Sequence, residues 1–217
     1  MEALTAPEIF VFLLGDSFSQ EVHSHLMNML AGKSNIKQAT NAQEALRLFG
    51  QNNCPKGVLV ADPGIIKAKN DVSQKLADYV RNGGTLVLGG CFSSHIRPSD
   101  LGSYMRGKWD LPWEVGSYHR TTMFLNREVV NRPASGLLSS YSHKAVFLKN
   151  VDPNMAWYVA TDRSEIESLV PMPGPGIDHS QTSIAFAKFG NGWIGYVGDV
   201  NGEQGTTAVV LEMLGLD

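Results

Sequence analysis

Short apolar runs alternate with amphipathic segments along the first 90 residues of the chain. Residues 9–14 form a continuous β-prone apolar run, and Gly15-Asp16-Ser17 follows directly. A strand covered on both faces needs apolar side chains on both, so this run predicts a buried strand and then a turn. From Ser19 the apolar spacing becomes helical. The predicted apolar helix face consists of Val22, Leu26, Met29 and Leu30.

The same alternation continues to residue 88. Strands are predicted at residues 36–39, 57–61 and 85–88. Asn41 is a suitable cap for a helix through Phe49, Asp71 or Ser73 for the next helix, and Asn82-Gly83-Gly84 is a helix stop. Strands that alternate with helices in this way predict a parallel sheet with helices on both faces. The expected fold is an α/β three-layer sandwich with a mostly parallel, flavodoxin-like sheet.

The second half of the chain is less regular. Residues 92–180 contain many prolines, three of the four tryptophans and the loop sequence of residues 171–176, which indicates a long insertion with strands at 145–149 and 156–161. A β-hairpin is predicted at residues 184–197, with a type I′ turn at Asn191-Gly192. A last helix is predicted at 206–214. One domain over residues 1–217 accounts for the whole pattern.

Composition and charge narrow the classes of partner. The chain has 217 residues, 43% of them hydrophobic, a formal charge of −3 and a pI of about 6.1, without a basic stripe for nucleic acid. The apolar run at 9–14 is too short to span a membrane and lacks the flanks of a secretory signal, so we expect a cytoplasmic protein. Cys54 and Cys91 are expected to be free thiols. No cofactor is expected, since Gly15-Asp16-Ser17 lacks the glycine series and lysine of a phosphate loop.

Two segments carry a resemblance to a known family. They are residues 79–90, a helix end followed by Gly83-Gly84 and a strand, and residues 189–201, a Gly-x-Gly, a strand and Gly198-Asp199. Both resemble the class I glutamine amidotransferase-like superfamily, most of all its trehalose-utilisation-like branch and the trimerisation domains of some β-galactosidases. The resemblance covers roughly half of the chain and implies a flavodoxin-like fold.

The catalytic residues of that superfamily are only partly matched. Its enzymes carry a Cys at a sharp strand-to-helix elbow and, much later, a His and a Glu two residues apart. Cys91 stands in a comparable place and Gly89 precedes it, but Ser93 stands where the second glycine of the elbow is expected. The carboxyl-terminal segment offers Asp199 and Glu203 without a His-x-Glu. The resemblance therefore does not imply amidotransferase activity.

Three residues are candidates for catalysis. Cys91 follows a predicted buried strand and precedes a helix start, which is a setting that activates thiols. The favoured alternative is that it is a small buried residue that fills space. His95, four residues later, and His119, in an aromatic segment, are candidate bases. Either histidine is also compatible with a structural or surface role.

A candidate ligand site follows from the topology. In parallel sheets, ligands bind beyond the carboxyl ends of the strands, where Asp16, Asp62 and Asp199 are expected to converge. Their convergence would suit Mg²⁺ or Ca²⁺, but helix capping explains all three and is the favoured interpretation, so no metal is assigned. The aromatic insertion adds a guanidinium and rings that form a pocket or simply pack onto the sheet. The candidate ligand-binding residues are Asp16, Ser17, Asp62, Ser93, Arg97, Trp113, Arg120 and Asp199.

The sequence leaves three functions open. The leading hypothesis is a protein of this superfamily that binds a small polar or carbohydrate-like molecule, with any catalysis a hydrolysis or isomerisation that uses Cys91 or His119. The alternative is a catalytically silent interaction or assembly module, for which a homo-oligomer is expected. The third hypothesis is a specialised metabolic enzyme that uses the same pocket without any of the catalytic residues of the family.

Overall fold

A computed structural model describes residues 6–15, 19–50, 54–67, 70–130, 136–168 and 176–216. These residues form nine strands: β1 Glu8–Phe12, β2 Asn35–Ala39, β3 Gly57–Val60, β4 Thr85–Leu88, β5 Glu114–Leu125, β6 Ser140–Lys149, β7 Ala156–Val159, β8 Ile184–Phe189 and β9 Gly192–Val197. The helices are α1 Ser24–Lys33, α2 Ala42–Gly50, α3 Gly64–Lys67, α4 Asn70–Arg81, α5 Phe92–His95, α6 Pro98–Trp109 and α7 Gln204–Met213, with a 3-10 turn at Pro153–Met155.

All nine strands belong to one mixed sheet, in the order β2-β1-β3-β4-β9-β8-β7-β5-β6. The strands from β2 to β9 in this order pair in parallel, and the pairs from β9 to β6 are antiparallel. The α/β class is confirmed, but the expectation of a mostly parallel sheet is wrong. The insertion is the reason, because it adds three antiparallel strands to the sheet, of which two, β6 and β7, were predicted in part and β5 was not.

Alternate residues of each inner strand point to opposite faces, and each face has its own core. Phe10 and Phe12 pack with helices α2, α4 and α6, whereas Ile9 and Val11 pack with α1 and α7. All four side chains are fully buried. Such two-sided burial is why the inner strands are continuously apolar and why the sequence revealed them.

The predicted cap of α2 is confirmed, but Asp71 and Ser73 lie inside α4, which begins at Asn70, and do not precede it. A helix face and the position of a hairpin loop also differ from the prediction. Asn41 accepts a hydrogen bond from the Glu44 N–H at 3.0 Å and caps α2 as predicted. The predicted apolar face of α1 is wrong at Val22 and Met29, which are 43% and 37% exposed. The hairpin loop also lies one residue earlier than predicted: Phe189 pairs with Gly192, and positive φ occurs at Gly190.

The β5–β6 hairpin passes along the carboxyl ends of the central strands. Its residue Ala145 forms a bridge with Asp199, which follows β9, and the Val146 N–H donates to the Gly198 carbonyl at 2.9 Å. The Tyr196 hydroxyl donates to the Val146 carbonyl at 3.0 Å. The insertion is thereby fixed beside the edge of the sheet where the sequence predicts a site. None of the helices in the described ranges combines the length and the hydropathy that a transmembrane span requires.

Candidate functional site

Asp62 organises the turn after β3. Its carboxylate is fully buried and accepts hydrogen bonds from the Gly15 N–H at 3.0 Å and from the Gly64 N–H at 2.8 Å. A side chain at Gly64 would overlap the backbone of Leu14 and Gly15, so the turns after β1 and β3 meet only because residue 64 is a glycine. Asp62 therefore links the ends of β1 and β3 at the carboxyl edge of the sheet.

Cys91 lies at the start of α5, one residue after the sharp point of the turn. Gly90 has φ of 59°, the left-handed conformation that favours glycine, whereas Cys91 has φ of −83°. The Cys91 Sγ accepts a hydrogen bond from the Ser19 N–H at 3.4 Å, and its side chain is 4% exposed. Burial, together with the nearby charge of Asp62, raises the pKa of the Cys91 thiol. This environment disfavours the reactive thiolate.

The two candidate histidines do not reach the thiol through any hydrogen bond in the described structure. His95 Nδ1 lies 3.3 Å from the carbonyl oxygen of Cys91 and 3.0 Å from the Ser94 hydroxyl. His119, on β5, stacks on Phe147 with ring centroids 4.4 Å apart, and burial lowers its pKa. Activation of a thiol requires a base within hydrogen-bonding reach. In the described contacts, neither histidine is positioned to act as the base that activates the Cys91 thiol.

A cavity of about 400 Å³ lies over the turns that follow β1, β3 and β4. Gly15 and Gly64 contribute bare backbone to its wall, and the side chains that carry charge or titrate are Lys67, His95, Arg97 and Asp100. Two permanent cations and one carboxylate give this rim cavity a net positive charge. His95 and Arg97 are the sequence-predicted residues that line it.

Ser93 and Asp199 are buried and form internal hydrogen bonds. The Ser93 hydroxyl donates to the Gly198 carbonyl at 3.1 Å, which joins α5 to the end of β9. Asp199 is 2% exposed and accepts from the N–H groups of Asn201 at 2.8 Å and Glu203 at 2.9 Å. Its carboxylate thus satisfies backbone donors at the start of α7.

Arg120 and Trp113 occupy different environments within the insertion. Arg120 forms an ion pair with Glu203 at 2.5 Å and donates to the Ser142 hydroxyl at 3.3 Å. Burial and the neighbouring Asp199 carboxylate raise the pKa of Glu203. Trp113 is 1% exposed and belongs to the core on the α6 side of the sheet, so its ring supports the insertion and forms no open pocket wall.

Sequence reasoning missed a buried polar pair on β6. His143 is fully buried, and its Nε2 lies 2.7 Å from the hydroxyl oxygen of Ser183, which is also fully buried. Burial lowers the pKa of His143 to about 4, against the opposing influence of the Glu203 charge. No sequence motif marks this pair, since its members are 40 residues apart. With both side chains sealed, the pair contributes to folding rather than to a reaction.

The strand ends do meet along one edge, as far as the described residues show. Hydrogen bonds link Gly15 with Asp62 and Ser93 with Gly198. Asp16 and Ser17 lie outside the described residues. Within the described part of the chain, no group of three or more His, Cys, Asp or Glu side chains is placed to hold a metal ion.

Comparisons with known proteins show a fold but no family. No family model matches the chain, and no curated protein matches it in sequence. A ThuA-like protein from Bacteroides uniformis superposes with a TM-score of 0.61 at 10% identity, over 99% of this chain and 94% of that one. A cytoplasmic protein from Salmonella typhimurium LT2 superposes with a TM-score of 0.55 at 13% identity, over 97% and 99%.

A β-galactosidase from Rahnella also superposes, with a TM-score of 0.59 at 13% identity over 98% of this chain. This chain spans about a third of the β-galactosidase lengths it matches, 32% for Rahnella and 31% for Bacillus circulans. Identities this low establish a shared architecture and leave activity open. The chain therefore has an α/β fold of the flavodoxin-like type, which it shares with this ThuA-like protein and with part of these β-galactosidases.

Proposed function

We propose that this chain is a binding domain for a small, polar, carbohydrate-like molecule that carries an anionic group, such as a sugar phosphate or a sugar acid. The observation that supports this most directly is the rim cavity, in which Lys67 and Arg97 outnumber the single carboxylate of Asp100. A cavity of about 400 Å³ lies within the size range of small-molecule sites.

The chemistry of the cavity fits such a ligand. The Arg97 guanidinium is suited to bidentate contact with a carboxylate or phosphate, and Lys67 supplies a second, more mobile positive charge. Asp100 and His95 add groups that can bond to hydroxyls. Because Gly15 and Gly64 carry no side chain, a ligand would approach the backbone closely at that wall.

Binding is better supported than Cys-dependent catalysis. The Cys91 thiol is buried, bonded to the Ser19 N–H, and has a raised pKa, while the ring of His95 contacts the Cys91 carbonyl instead of its sulfur. We therefore propose a ligand-binding role without a thiol nucleophile. We also propose a cytoplasmic location, in keeping with the Salmonella protein of similar fold.

Isothermal titration calorimetry tests the proposal. Glucose 6-phosphate and galacturonate are titrated as anionic probes, with glucose as the neutral counterpart. We expect at least one anionic probe to bind more tightly than glucose, and any binding of glucose to be unaffected by Arg97→Ala. Arg97→Ala and Lys67→Ala should each weaken binding by roughly tenfold or more, because each removes a charge-assisted contact of about 1.5 kcal/mol or more.

Lys75→Ala serves as the matched control, since it removes an equal charge from an exposed position on α4 away from the cavity lining. Its affinity should equal that of the wild type. If all three variants bind an anionic probe equally well, the rim cavity is not the site. If neither anionic probe binds, the proposed ligand class is wrong.

A second candidate function is an assembly module. The match to about a third of the β-galactosidase chains favours it, because domains of multidomain enzymes often serve in assembly. Light scattering coupled to size-exclusion chromatography tests this candidate. A stable oligomer at micromolar concentration, in a protein that binds neither probe, would support the module over the binding domain. A monomer at the same concentration would rule out the assembly module.

A further inference from the structure

A second cavity, of about 450 Å³, lies at the opposite edge of the sheet from the rim cavity. Lys56 precedes β3, Thr85 begins β4 and Trp193 is the second residue of β9, so the cavity opens at the amino ends of these parallel strands. Asn154 and Glu212 complete its polar lining. At about 3.3 Å per residue, the four residues of β4 alone separate the two edges by roughly 13 Å.

Stacked aromatic rings form one wall of this cavity. Trp193 is 40% exposed, and its ring stacks on Phe186 with centroids 5.0 Å apart and planes 9° apart. Trp157 contacts the other aromatic of the pair, Phe186, with its ring tilted at 65° and centroids 4.8 Å apart. The buried Phe186 ring thus supports one face of the partly exposed Trp193 indole, and Trp157 packs against Phe186.

Gly195 makes this stacking possible. It lies two residues after Trp193 on β9 and points to the same face of the sheet. A Cβ at this position would stand 3.2 Å from the Phe186 ring and 2.7 Å from the Met213 sulfur. Because residue 195 has no side chain, Phe186 lies close against β9 and supports the indole of Trp193.

The polar groups around the Trp193 indole include both hydrogen-bond donors and acceptors. Lys56 provides an ammonium donor, and Glu212, which is 6% exposed, provides a carboxylate acceptor. Thr85 and Asn154 each offer both kinds of group. One positive and one negative charge leave the lining neutral, in contrast to the cationic rim cavity. A neutral ligand with hydroxyls around its edge matches this arrangement better than an anion does.

We propose that this cavity is a binding site for a neutral saccharide ring, which stacks its apolar face on Trp193. Sugar hydroxyls both donate and accept, so they can pair with the mixed polar groups at the margin. The apolar C–H face of the ring covers part of the indole, which is otherwise exposed to water. The site is independent of the rim cavity and of the ligand proposed for it.

Saturation-transfer NMR and tryptophan fluorescence test this inference. The probes are methyl β-glucopyranoside, methyl β-galactopyranoside and cellobiose, with adenosine as a planar heteroaromatic comparison. We expect saturation transfer to ring protons of at least one saccharide and a fluorescence change with a dissociation constant of the order of 1 mM. Trp193→Ala should weaken binding at least tenfold, whereas Trp193→Phe, which keeps a flat ring, should weaken it less.

Two controls distinguish this site from the rest of the surface. Tyr118→Ala removes another exposed aromatic ring, on β5, and should leave saccharide binding unchanged. Arg97→Ala at the rim cavity should also leave it unchanged. The inference is overturned if no saccharide binds at about 50-fold above this dissociation constant, if only adenosine binds, or if Trp193→Ala binds saccharides as well as wild type. Loss of saccharide binding in Arg97→Ala would place the sugar at the rim instead.

Discussion

The buried His143 makes the stability of this protein dependent on pH. Burial lowers its pKa to about 4 in the folded chain, while an unfolded chain binds the same proton with a pKa near 6.5. As the pH falls below 6.5, the unfolded state gains a proton that the folded state does not. The free energy of unfolding therefore decreases as the pH falls from 6.5, and this contribution levels off below about 4.

The magnitude follows from the two pKa values. Between pH 7 and pH 4.5, the difference in proton binding at His143 should lower the free energy of unfolding by about 2.5 kcal/mol, at 1.36 kcal/mol for each pKa unit. Burial is the largest influence on this histidine, and the charge of Glu203 opposes it without cancelling it. A loss of this size is a substantial part of the stability of a typical domain.

Urea unfolding of wild type and His143→Gln at several pH values isolates this contribution. Glutamine does not titrate, and its amide can still bond to the Ser183 hydroxyl that His143 Nε2 contacts. Every carboxylate is common to both proteins, so their difference reports His143 alone. We expect the variant to lose about 2.5 kcal/mol less than wild type between pH 7 and pH 4.5. Exposed His25, on α1, provides a matched control through His25→Gln.

Parallel pH curves for wild type and His143→Gln would refute this reasoning. They would mean that His143 accepts a proton without breaking the fold, and hence that water reaches the Ser183 pair. A smaller loss in His25→Gln than in wild type, similar to that of His143→Gln, would equally count against the assignment to a single buried histidine.

Two further predictions concern the carboxyl-end rim. Buried Cys91 should react with a disulfide reagent much more slowly than exposed Cys54, so the native protein should show one fast and one slow thiol; equal rates would contradict the raised Cys91 pKa. Gly64→Ala should destabilise by about 2 kcal/mol or more in urea unfolding, because its Cβ overlaps backbone, whereas Gly107→Ala, in open space on α6, should stabilise by about 0.5–1 kcal/mol. Equal effects of the two substitutions would show that the β1 and β3 turns are not in close contact.

The parallel half of the fold was readable because its signals are local. Strands such as β4, whose bounds match the prediction, are buried on both faces and therefore continuously apolar. The helix stop at Gly83 needs only a residue that tolerates positive φ, and its φ is 109°. These properties depend on neighbours a few residues away, so a pattern along the chain is enough to identify them.

The antiparallel half was less readable because its order comes from distant partners. β5 has twelve residues, but only its last part alternates between buried and partly buried positions. It is held as a strand by a long antiparallel pairing with β6 and by contact with β7. No local apolar run marks such a strand, so the sequence pattern predicts only an irregular segment there.

The amino-acid sequence by itself determined the α/β class, the order of the inner elements and the residues that end the strands, since each rests on local periodicity and turn chemistry. Only the tertiary structure decided what those residues do. It buried Cys91 with no hydrogen-bonded base among the described residues, used Asp62 and Asp199 to satisfy backbone donors, and left Arg97 and His95 on an open cavity. The physical reason is that pKa, accessibility and hydrogen-bond partners depend on groups far apart in sequence, which only folding brings together.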